Sequence, residues 1–129
     1  MISTNAFNYV NVLDKAADAS WRREGLLANN IANVDTPRYK RKDLDFQTLL
    51  KQELDYRRYE SLDAKVNGAD LRELEPMTYT DMAGYSYRMD QNNVDIDTEN
   101  VELASEQLRY QAVTTSINQE FVRMKTVLT

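Results

Sequence analysis

Apolar residues recur every seven positions near the carboxyl end of this 129-residue chain, and this repeat constrains the fold more than any other feature. It consists of Leu103, Tyr110, Ile117 and Met124, with Thr114, Phe121 and Leu128 four residues after the last three. Such a heptad lies along one line of a helix, where a second helix covers it. The sequence therefore predicts a helix over residues 97–129, with Asp97 or Thr98 as N-cap and Glu99 and Glu102 supplying negative charge to its first turn.

A second row of small and apolar residues follows another side of the same predicted helix. It consists of Ala104, Leu108, Ala112, Thr115 and Val122. A single partner helix covers only one side, so we expect this helix to have more than one neighbour.

The amino-terminal segment carries a similar pattern with alternating spacings of three and four. Its members are Val10, Leu13, Ala17, Ser20, Glu24, Leu27, Ile31 and Val34, and only Glu24 is wrong for a dry seam. The pattern predicts a helix from about residue 4 to residue 33, roughly 45 Å long at ~1.5 Å per residue. Thr36-Pro37 should end it, because the residue before a proline is pushed out of the helical region.

The middle of the chain is less regular. Asp43 to Arg58 can form a short amphipathic helix capped by Asp43, with Phe46, Leu50 and Leu54 on one face. Residues 61–89 are predicted to form loop, with one short strand or hairpin around residues 76–89 that includes Tyr79, Tyr85 and Tyr87.

These patterns predict a mainly α protein in which two long terminal helices pack as an elongated coiled coil. We expect residues 1–37 and 97–129 to form one domain. Residues 38–96 are expected to join the two helices as an irregular segment, with a short helix at 43–58 and a short β-hairpin.

Composition excludes most kinds of catalytic and metal site. The chain has no cysteine and no histidine, which removes thiol and imidazole catalysis and zinc sites built from these residues. Residues 90–99 supply oxygen ligands, but Val94 and Val101 stand where a calcium loop needs ligands, and its glycine is missing. With 21 acidic residues, carboxylate pairs are expected by chance. We therefore expect no enzyme, small-molecule substrate, metal or cofactor.

The net charge of -5 argues against general binding of nucleic acid, which depends on neutralising phosphates. The first twenty residues lack the pattern of a secretory signal, and no stretch approaches the ~18 apolar residues of a membrane helix. Composition alone therefore predicts a cytoplasmic protein.

Two segments carry opposite charge. Arg38, Lys40, Arg41 and Lys42 are basic, whereas Asp90, Asp95, Asp97, Glu99, Glu102 and Glu106 are acidic, with no basic residue between them. The two segments can pair within one molecule or between subunits of a polymer, where charge sets register. The alternative is that both are solvated surface.

The densest local motif covers residues 28–41, ANNIANVDTPRYKR. Asparagines bond to nearby backbone and favour helix ends, so local chemistry alone indicates a helix stop followed by a turn. The segment also resembles the A-x-N-I-A-N-x-D-T-P-G-Y-K stretch of the flagellar rod family, bacterial axial proteins that polymerise into the drive shaft of the basal body. Residues 92–99, followed by Leu108, Tyr110 and Ala112, resemble this family's second motif, N-N-V-D-x-D-x-E and then L-x-Y-x-A.

Two residues depart from the family pattern. Arg38 and Gln91 stand where such proteins usually have glycine. Glycine at such places supplies a positive φ, so we expect turns of a different type in this chain. Asp43-Leu44-Asp45-Phe46 points to the proximal rod members rather than to the longer distal rod and hook proteins.

The resemblance implies a structural subunit that polymerises through its terminal helices, transmits torque and surrounds the export channel. It implies export by the flagellar type III apparatus, which contradicts the cytoplasmic prediction. It also implies as partners other copies of the chain, the rod proteins FlgC and FlgF, the adaptor FliE, and the membrane ring or export gate at the base of the rod. The alternative is an autonomous helical-hairpin adaptor that binds partner helices through the same apolar rows.

The seams and the two motifs together give the candidate interface residues. These are Val10, Leu13, Ala17, Leu27, Asn29, Asn30, Ile31, Asn33, Asp35, Thr36, Pro37, Tyr39, Asn92, Asn93, Asp95, Leu103, Leu108, Tyr110, Ile117, Phe121 and Met124.

Overall fold

Two long antiparallel helices dominate the computed structural model, which describes residues 5–56, 59–82 and 88–129. Helix α1 spans Asn8–Ala32 and follows a short 3-10 turn at Asn5–Phe7, and helix α4 spans Ile96–Leu128. The two run in opposite directions, because Asn30 bonds to Glu99 whereas Ser20, earlier in α1, bonds to Glu106, later in α4. The predicted mainly α fold with paired terminal helices is confirmed.

Both long helices differ slightly from prediction at the ends that face the middle segment. Helix α1 ends at Ala32, four residues before Thr36, and Asn33 caps it. Helix α4 begins one residue earlier than predicted, because its N-cap is Asp95 and not Asp97 or Thr98. The Asp95 carboxylate accepts hydrogen bonds from the backbone N–H groups of both predicted caps.

The middle segment forms short elements that fold back along α1. They are β1 (Lys42–Asp43), α2 (Phe46–Asp55), α3 (Leu62–Asn67), a 3-10 turn (Leu71–Leu74) and β2 (Tyr79–Thr80). Helix α2 starts later than predicted because Asp45, not Asp43, is its cap and accepts from the Thr48 N–H. The predicted loop after residue 61 contains α3, which Ser61 caps.

The predicted strand near residue 79 is present, and it pairs with a distant partner. Strand β2 runs antiparallel to β1, with Lys42 opposite Thr80 and Asp43 opposite Tyr79. The part of the predicted hairpin at residues 83–87, with Tyr85 and Tyr87, lies outside the described residues, as do residues 57 and 58 of the predicted helix.

The described core is thin and lies along α1. Its buried apolar residues are Ala17, Ala19 and Leu27 of α1 and Leu44, Val66, Leu74 and Val94 of the middle segment. Small side chains on α1 let α4 approach closely, and Ser20 is buried beside it.

The α4 seam contains the predicted heptad and a second line that differs from the prediction. The less exposed residues at alternating spacings of three and four are Glu99, Leu103, Glu106, Tyr110, Val113, Ile117, Glu120 and Met124. The predicted second line, at residues 114, 121 and 128, is wrong for the last two, because Phe121 and Leu128 are exposed. The observed second line lies four residues before each apolar heptad position and was not recognised because three of its four members, Glu99, Glu106 and Glu120, are glutamates.

Candidate functional site

The two sequence motifs meet at the end of the helix pair where α1 ends and α4 begins. Asn92 connects them, because its side-chain amide Nδ2 lies 2.9, 3.0 and 2.8 Å from the carbonyl oxygens of Asn33, Val34 and Thr36. These carbonyls follow the last turn of α1, beyond its helical N–H groups, and the turn N–H groups of Thr36 and Tyr39 also donate to the Asn33 and Thr36 carbonyls. The Asn92 Oδ1 accepts from the Val94 N–H at 2.8 Å, so this buried side chain fixes both chain segments of the junction.

The two turns that meet at the junction, one at Arg38 and one at Gln91, keep the backbone conformation that glycine favours. Arg38 has φ of 64° and Gln91 has φ of 63°. The expectation of different turn types is therefore wrong, because both residues accept the left-handed conformation despite their Cβ atoms. The two turns also contact each other, since the Arg38 N–H donates to the Asp90 carbonyl oxygen at 2.7 Å and the Lys40 ammonium donates to the Gln91 carbonyl.

Asn30 of α1 bonds to the segment that follows the junction, at Tyr39 and Lys42. Its Oδ1 accepts from the Lys42 N–H at 2.9 Å and from the Tyr39 hydroxyl at 3.0 Å. Its Nδ2 donates to the Lys42 carbonyl at 2.8 Å and to Glu99 Oε2 at 3.1 Å. Asn30 is buried, and these four bonds use all of its donors and acceptors.

The remaining motif asparagines bond locally or to the middle segment. Asn29 donates to the Tyr39 hydroxyl at 3.2 Å, and Asn33 donates to the Asn29 carbonyl at 2.8 Å. Asn93 accepts from the Arg41 N–H and donates to the Asp81 carbonyl, both at 2.8 Å. The motifs thus form one hydrogen-bonded junction inside the subunit, and the explanation as a simple helix stop misses this role.

Next to the junction, two arginines hold five carboxylates between the helices and the small sheet. Arg23 of α1 bonds to Asp43 at 2.8 Å, Glu106 at 2.7 Å and Glu102 at 2.9 Å. The Glu106 carboxylate, 2% exposed, also accepts from the Ser20 hydroxyl at 2.7 Å. The first half of the α4 seam is therefore filled by ion pairs.

Arg41 is the second centre of this ion-pair network. Its guanidinium lies 2.5 Å from Glu99, 3.1 Å from Asp43 and 3.3 Å from Asp81. Glu99 is 1% exposed, so this pair is shielded from water. The predicted pairing of the basic and acidic segments is confirmed within one molecule for Arg41 and Glu99.

The network favours its charged state. Burial would raise the pKa of Asp43, but hydrogen bonds from Arg23, the Leu44 N–H and Arg41 hold the pKa of this carboxyl below its ordinary value. Hydrogen bonds to Asp43, Glu106 and Glu102 raise the pKa of Arg23 despite its desolvation. Burial lowers the pKa of Arg41, and the bonds to Glu99 and Asp43 more than offset it.

Glu24 is the poorly satisfied acid of the α1 seam. Its Oε1 atom is buried and, among the described residues, has no hydrogen-bond partner. Burial raises the pKa of this carboxyl, and the nearby charge of Glu106 raises it further. The sequence pattern correctly marked Glu24 as the misfit of its seam.

The candidate interface residues fall into three classes of exposure. The buried ones are Ala17, Leu27, Asn30 and Asn92. The half-buried ones are Val10, Leu13, Ile31, Asn33, Tyr39, Asn93, Leu103, Tyr110, Ile117 and Met124. The exposed ones are Asn29, Asp35, Thr36, Pro37, Asp95, Leu108 and Phe121.

The second row of α4 points away from α1. Leu108 is 67% exposed, Val101 and Val122 are exposed on either side of it, and Trp21 of α1 is 66% exposed. Large apolar side chains in a row are unusual on a surface that faces only water. This outward row is the part of the described surface best suited to binding another protein.

The described residues offer little for other kinds of site. No group of three or more acidic residues among them is arranged to hold a metal ion. Within the same ranges, each helix is too short or too polar to cross a bilayer.

Comparisons with known proteins agree on one family. The family described as flagella basal body rod protein matches residues 26–40. The flagellar basal body rod protein FlgB of Bacillus subtilis is 39% identical over 91% of this chain and 90% of its own length. The proteins of the same name from Proteus mirabilis and Escherichia coli are 34% and 30% identical, each over 83% of both chains.

Proposed function

Because this chain belongs to the FlgB family of flagellar basal body rod proteins, we propose that it is a structural subunit of the proximal rod. It polymerises through its terminal helices, transmits torque and surrounds the export channel. The family is one of structural rod components of the basal body, so the cytoplasmic location predicted from composition alone is wrong.

The observation that supports polymerisation is the outward apolar row on α4. The α1–α4 pair uses its inner sides for the ion-pair network and the apolar seam, which leaves Val101, Leu108 and Val122 without cover. Burying such side chains contributes about 25 cal/mol per Å² of apolar surface, so neighbouring subunits gain stability by covering them. A subunit that transmits torque also needs a stiff body, and hydrogen-bonded ion pairs between the helices resist sliding.

The exposed candidate residues are the proposed contacts with neighbours. Leu108 and Phe121 contribute apolar area, while Asn29, Asp35, Thr36, Pro37 and Asp95 surround the junction. The buried asparagines Asn30 and Asn92 act indirectly by fixing the shape of that junction. The proposed assembling domain comprises residues 1–37 and 97–129, with residues 38–96 as the middle segment.

The proposed neighbours are other copies of this chain, the rod proteins FlgC and FlgF, the adaptor FliE, and the membrane ring or export gate at the rod base. The proposed route to the rod is the flagellar type III system. The chain needs no cofactor for this role.

Gene deletion in the host tests the rod function. We expect the deletion strain to keep its membrane ring but to lose rod, hook and filament, and the intact chain supplied in trans to restore all three. Electron microscopy of isolated basal bodies and a swimming assay provide the readouts. Normal flagella in the deletion strain would reject the rod function and favour the adaptor.

A further inference from the structure

A mostly apolar groove of about 570 Å³ lies between α1 and α4. Its lining includes Trp21, Gly25 and Ala28 of α1, together with Leu103 and Gln107 of α4. The spacings of three and four place each set along one side of its helix. A groove bounded by two paired helices in this way has the form that the side chains of a third helix fill.

Gly25 leaves space in this groove that the subunit itself does not fill. A Cβ atom added at this glycine would meet nothing within 4 Å among the described residues. Glycine inside a helix is less favourable than alanine, because its backbone loses more freedom on folding. No close contact inside the described subunit requires this glycine, so we attribute it to the approach of another chain.

Glu24 places a carboxylate oxygen beside the same groove without a partner. Its side chain lines the groove, and Oε1 is buried with no hydrogen bond in the described part of the chain. The two adjacent arginines are bonded elsewhere, because Arg22 donates to the Pro76 carbonyl at 3.1 Å and Arg23 holds three other carboxylates. An unpaired buried anion is unfavourable, and a cation supplied by another chain would remove that cost.

We propose that this groove binds a lysine or arginine carried by an apolar helix of an adjacent rod subunit. The methylene groups of that side chain pack on Trp21 and Leu103 while its charged end reaches Glu24. The exposed ring of Trp21 adds a cation–π contact. The small residues Gly25 and Ala28 let the backbone of the partner helix approach closely.

The contact rests on the proposed rod function and gives one neighbour of the subunit a defined chemistry. The outward row of α4 requires only apolar area from whatever covers it. The groove requires a basic residue at a fixed place, because an acidic or neutral neighbour would leave the Glu24 carboxylate buried and unpaired. The groove therefore distinguishes correct from incorrect neighbours.

Substitutions at Glu24 test the ion pair in assembled rods. Glu24→Gln keeps the size of the side chain and removes its charge, so we expect about threefold fewer flagella per cell in the complemented deletion strain. Glu24→Lys should reduce the number about tenfold, because it brings two cations together. A purely structural role predicts no loss for Glu24→Gln, since removal of a poorly satisfied charge stabilises the subunit. The original number of flagella with Glu24→Gln would overturn the proposal.

Gly25→Leu tests the groove without a change of charge. The leucine enters space that is open in the subunit and occupies the place of the partner, so we expect about tenfold fewer flagella. Gln52→Leu, at an exposed position of α2, adds the same side chain outside the groove and is the matched control. Immunoblots compare the amounts of the two variants. Equal numbers of flagella with both variants would refute binding in the groove.

A photoreactive residue identifies the occupant of the groove directly, whether or not the leucine variant folds. With p-benzoylphenylalanine in place of Trp21, illumination of isolated basal bodies should join this chain to another rod subunit. Mass spectrometry should place the cross-link on a helix within about four residues of a lysine or arginine. Cross-links confined to the chain itself, or to a segment without a basic residue, would overturn the proposed partner.

A charge exchange with the identified residue completes the test. Glu24→Lys combined with glutamate in place of the partner's basic residue should restore the flagella that Glu24→Lys alone loses, because the pair is then re-formed in reverse. Failure of this exchange would contradict the ion pair. The rod function is judged separately, since restoration of rod, hook and filament by the original chain supports it whatever these variants do.

Discussion

Arg38 and Gln91 hold a backbone conformation that costs most residues free energy, and they do so in two turns bonded to each other. A side chain in the left-handed region costs roughly 1–2 kcal/mol relative to glycine. The junction tolerates this cost because the Asn92 amide and the bond from Arg38 to Asp90 fix both turns from inside. Single residues here are strained, and the hydrogen bonds around them determine the shape.

Relieving the strain should stabilise the subunit. Gln91→Gly is expected to raise the free energy of unfolding by roughly 0.5–1 kcal/mol, because the relief exceeds the extra entropy that glycine gives the unfolded chain. Urea unfolding followed by circular dichroism measures this. Gln91→Ala is the control, since alanine keeps the Cβ and the strain, and an equal gain from alanine would refute the explanation.

Glu24 should make the free energy of unfolding depend on pH, with a defined sign. Its folded pKa is raised by burial and by Glu106, so the carboxyl favours the folded state when protonated and opposes it once charged. Glu24→Gln should therefore be more stable than the original chain at pH 7, by about 1 kcal/mol. The difference should shrink as the pH falls through the folded pKa of Glu24. Unfolding curves at several pH values check this, and a constant difference would contradict it.

At the scale of elements, α1 and α4 are joined by different forces at their two ends. Near the junction the seam consists of Arg23 and Arg41 with their carboxylates, whereas further along it consists of half-buried residues such as Leu13 and Ile117. Buried ion pairs add little net stability but are costly to break, because removal of one partner strands the others. They also fix the register of the two helices, which apolar packing alone defines less sharply.

Removal of one arginine should reveal this asymmetry. Arg23→Met is expected to lower the free energy of unfolding by about 2 kcal/mol, because Glu106 and Asp43 lose one cation and keep only Arg109 and Arg41, respectively. Adding Glu106→Leu to Arg23→Met should recover part of the loss, since one of the two buried carboxylates left with fewer partners is then removed. Thermal unfolding of both variants checks the expectation, and a double variant less stable than the single one would contradict it.

The sequence predicted these elements well where their pattern was apolar and failed where it was charged. The heptad from Leu103 to Met124 located the α4 seam. Glu99 and Glu106 continue the same seam, but a glutamate at a heptad position normally indicates solvent, so only the arginines packed against them explain their burial. Arg23 comes from α1 and Arg41 from the residue before β1, and nothing local to α4 predicts that they lie there.

In the whole molecule, the inner side of the helix pair is covered by packing and ion pairs, whereas the apolar residues on the outer side of α4 are exposed. The middle segment lies along α1, tied by ion pairs such as Lys15 with Glu75 and by the bond of Arg22 to the Pro76 carbonyl. The outward row of α4 has no such cover among the described residues. Stability and assembly therefore depend on different sides of the same helix.

A substitution on the outer side should separate the two properties. Leu108→Glu is expected to leave the unfolding midpoint within about 0.5 kcal/mol of the original, because the side chain is exposed. In the deletion strain it should restore swimming poorly, since a charge would be buried against each neighbour. Ser116→Glu adds the same charge on a flank of α4 and is the matched control. Equal swimming of the two variants would show that the row is not an assembly contact.

At the junction, the sequence predicted the helix end but not the bonds between distant residues. The pattern of Asn30, Asn33 and Pro37 predicted a helix end, and the resemblance to rod proteins marked both motifs as important. Neither indicated that Asn92 bonds three carbonyls some 56 to 59 residues earlier in the chain. Such bonds depend on how the whole middle segment returns, which local propensity does not specify.

The clasp formed by the three bonds from Asn92 to the carbonyls of residues 33, 34 and 36 affects which insertions the middle segment can tolerate. By bonding the backbone at residues 33–36, it closes residues 37–91 into a loop whose two ends leave the helix pair side by side. The entropy of a closed loop grows only slowly with its length, so added residues far from the clasp cost the fold little. Tyr59, 96% exposed, marks such a distant position. A small domain with adjacent termini inserted there, such as a fluorescent reporter, would leave the helix pair intact and label the molecule from outside.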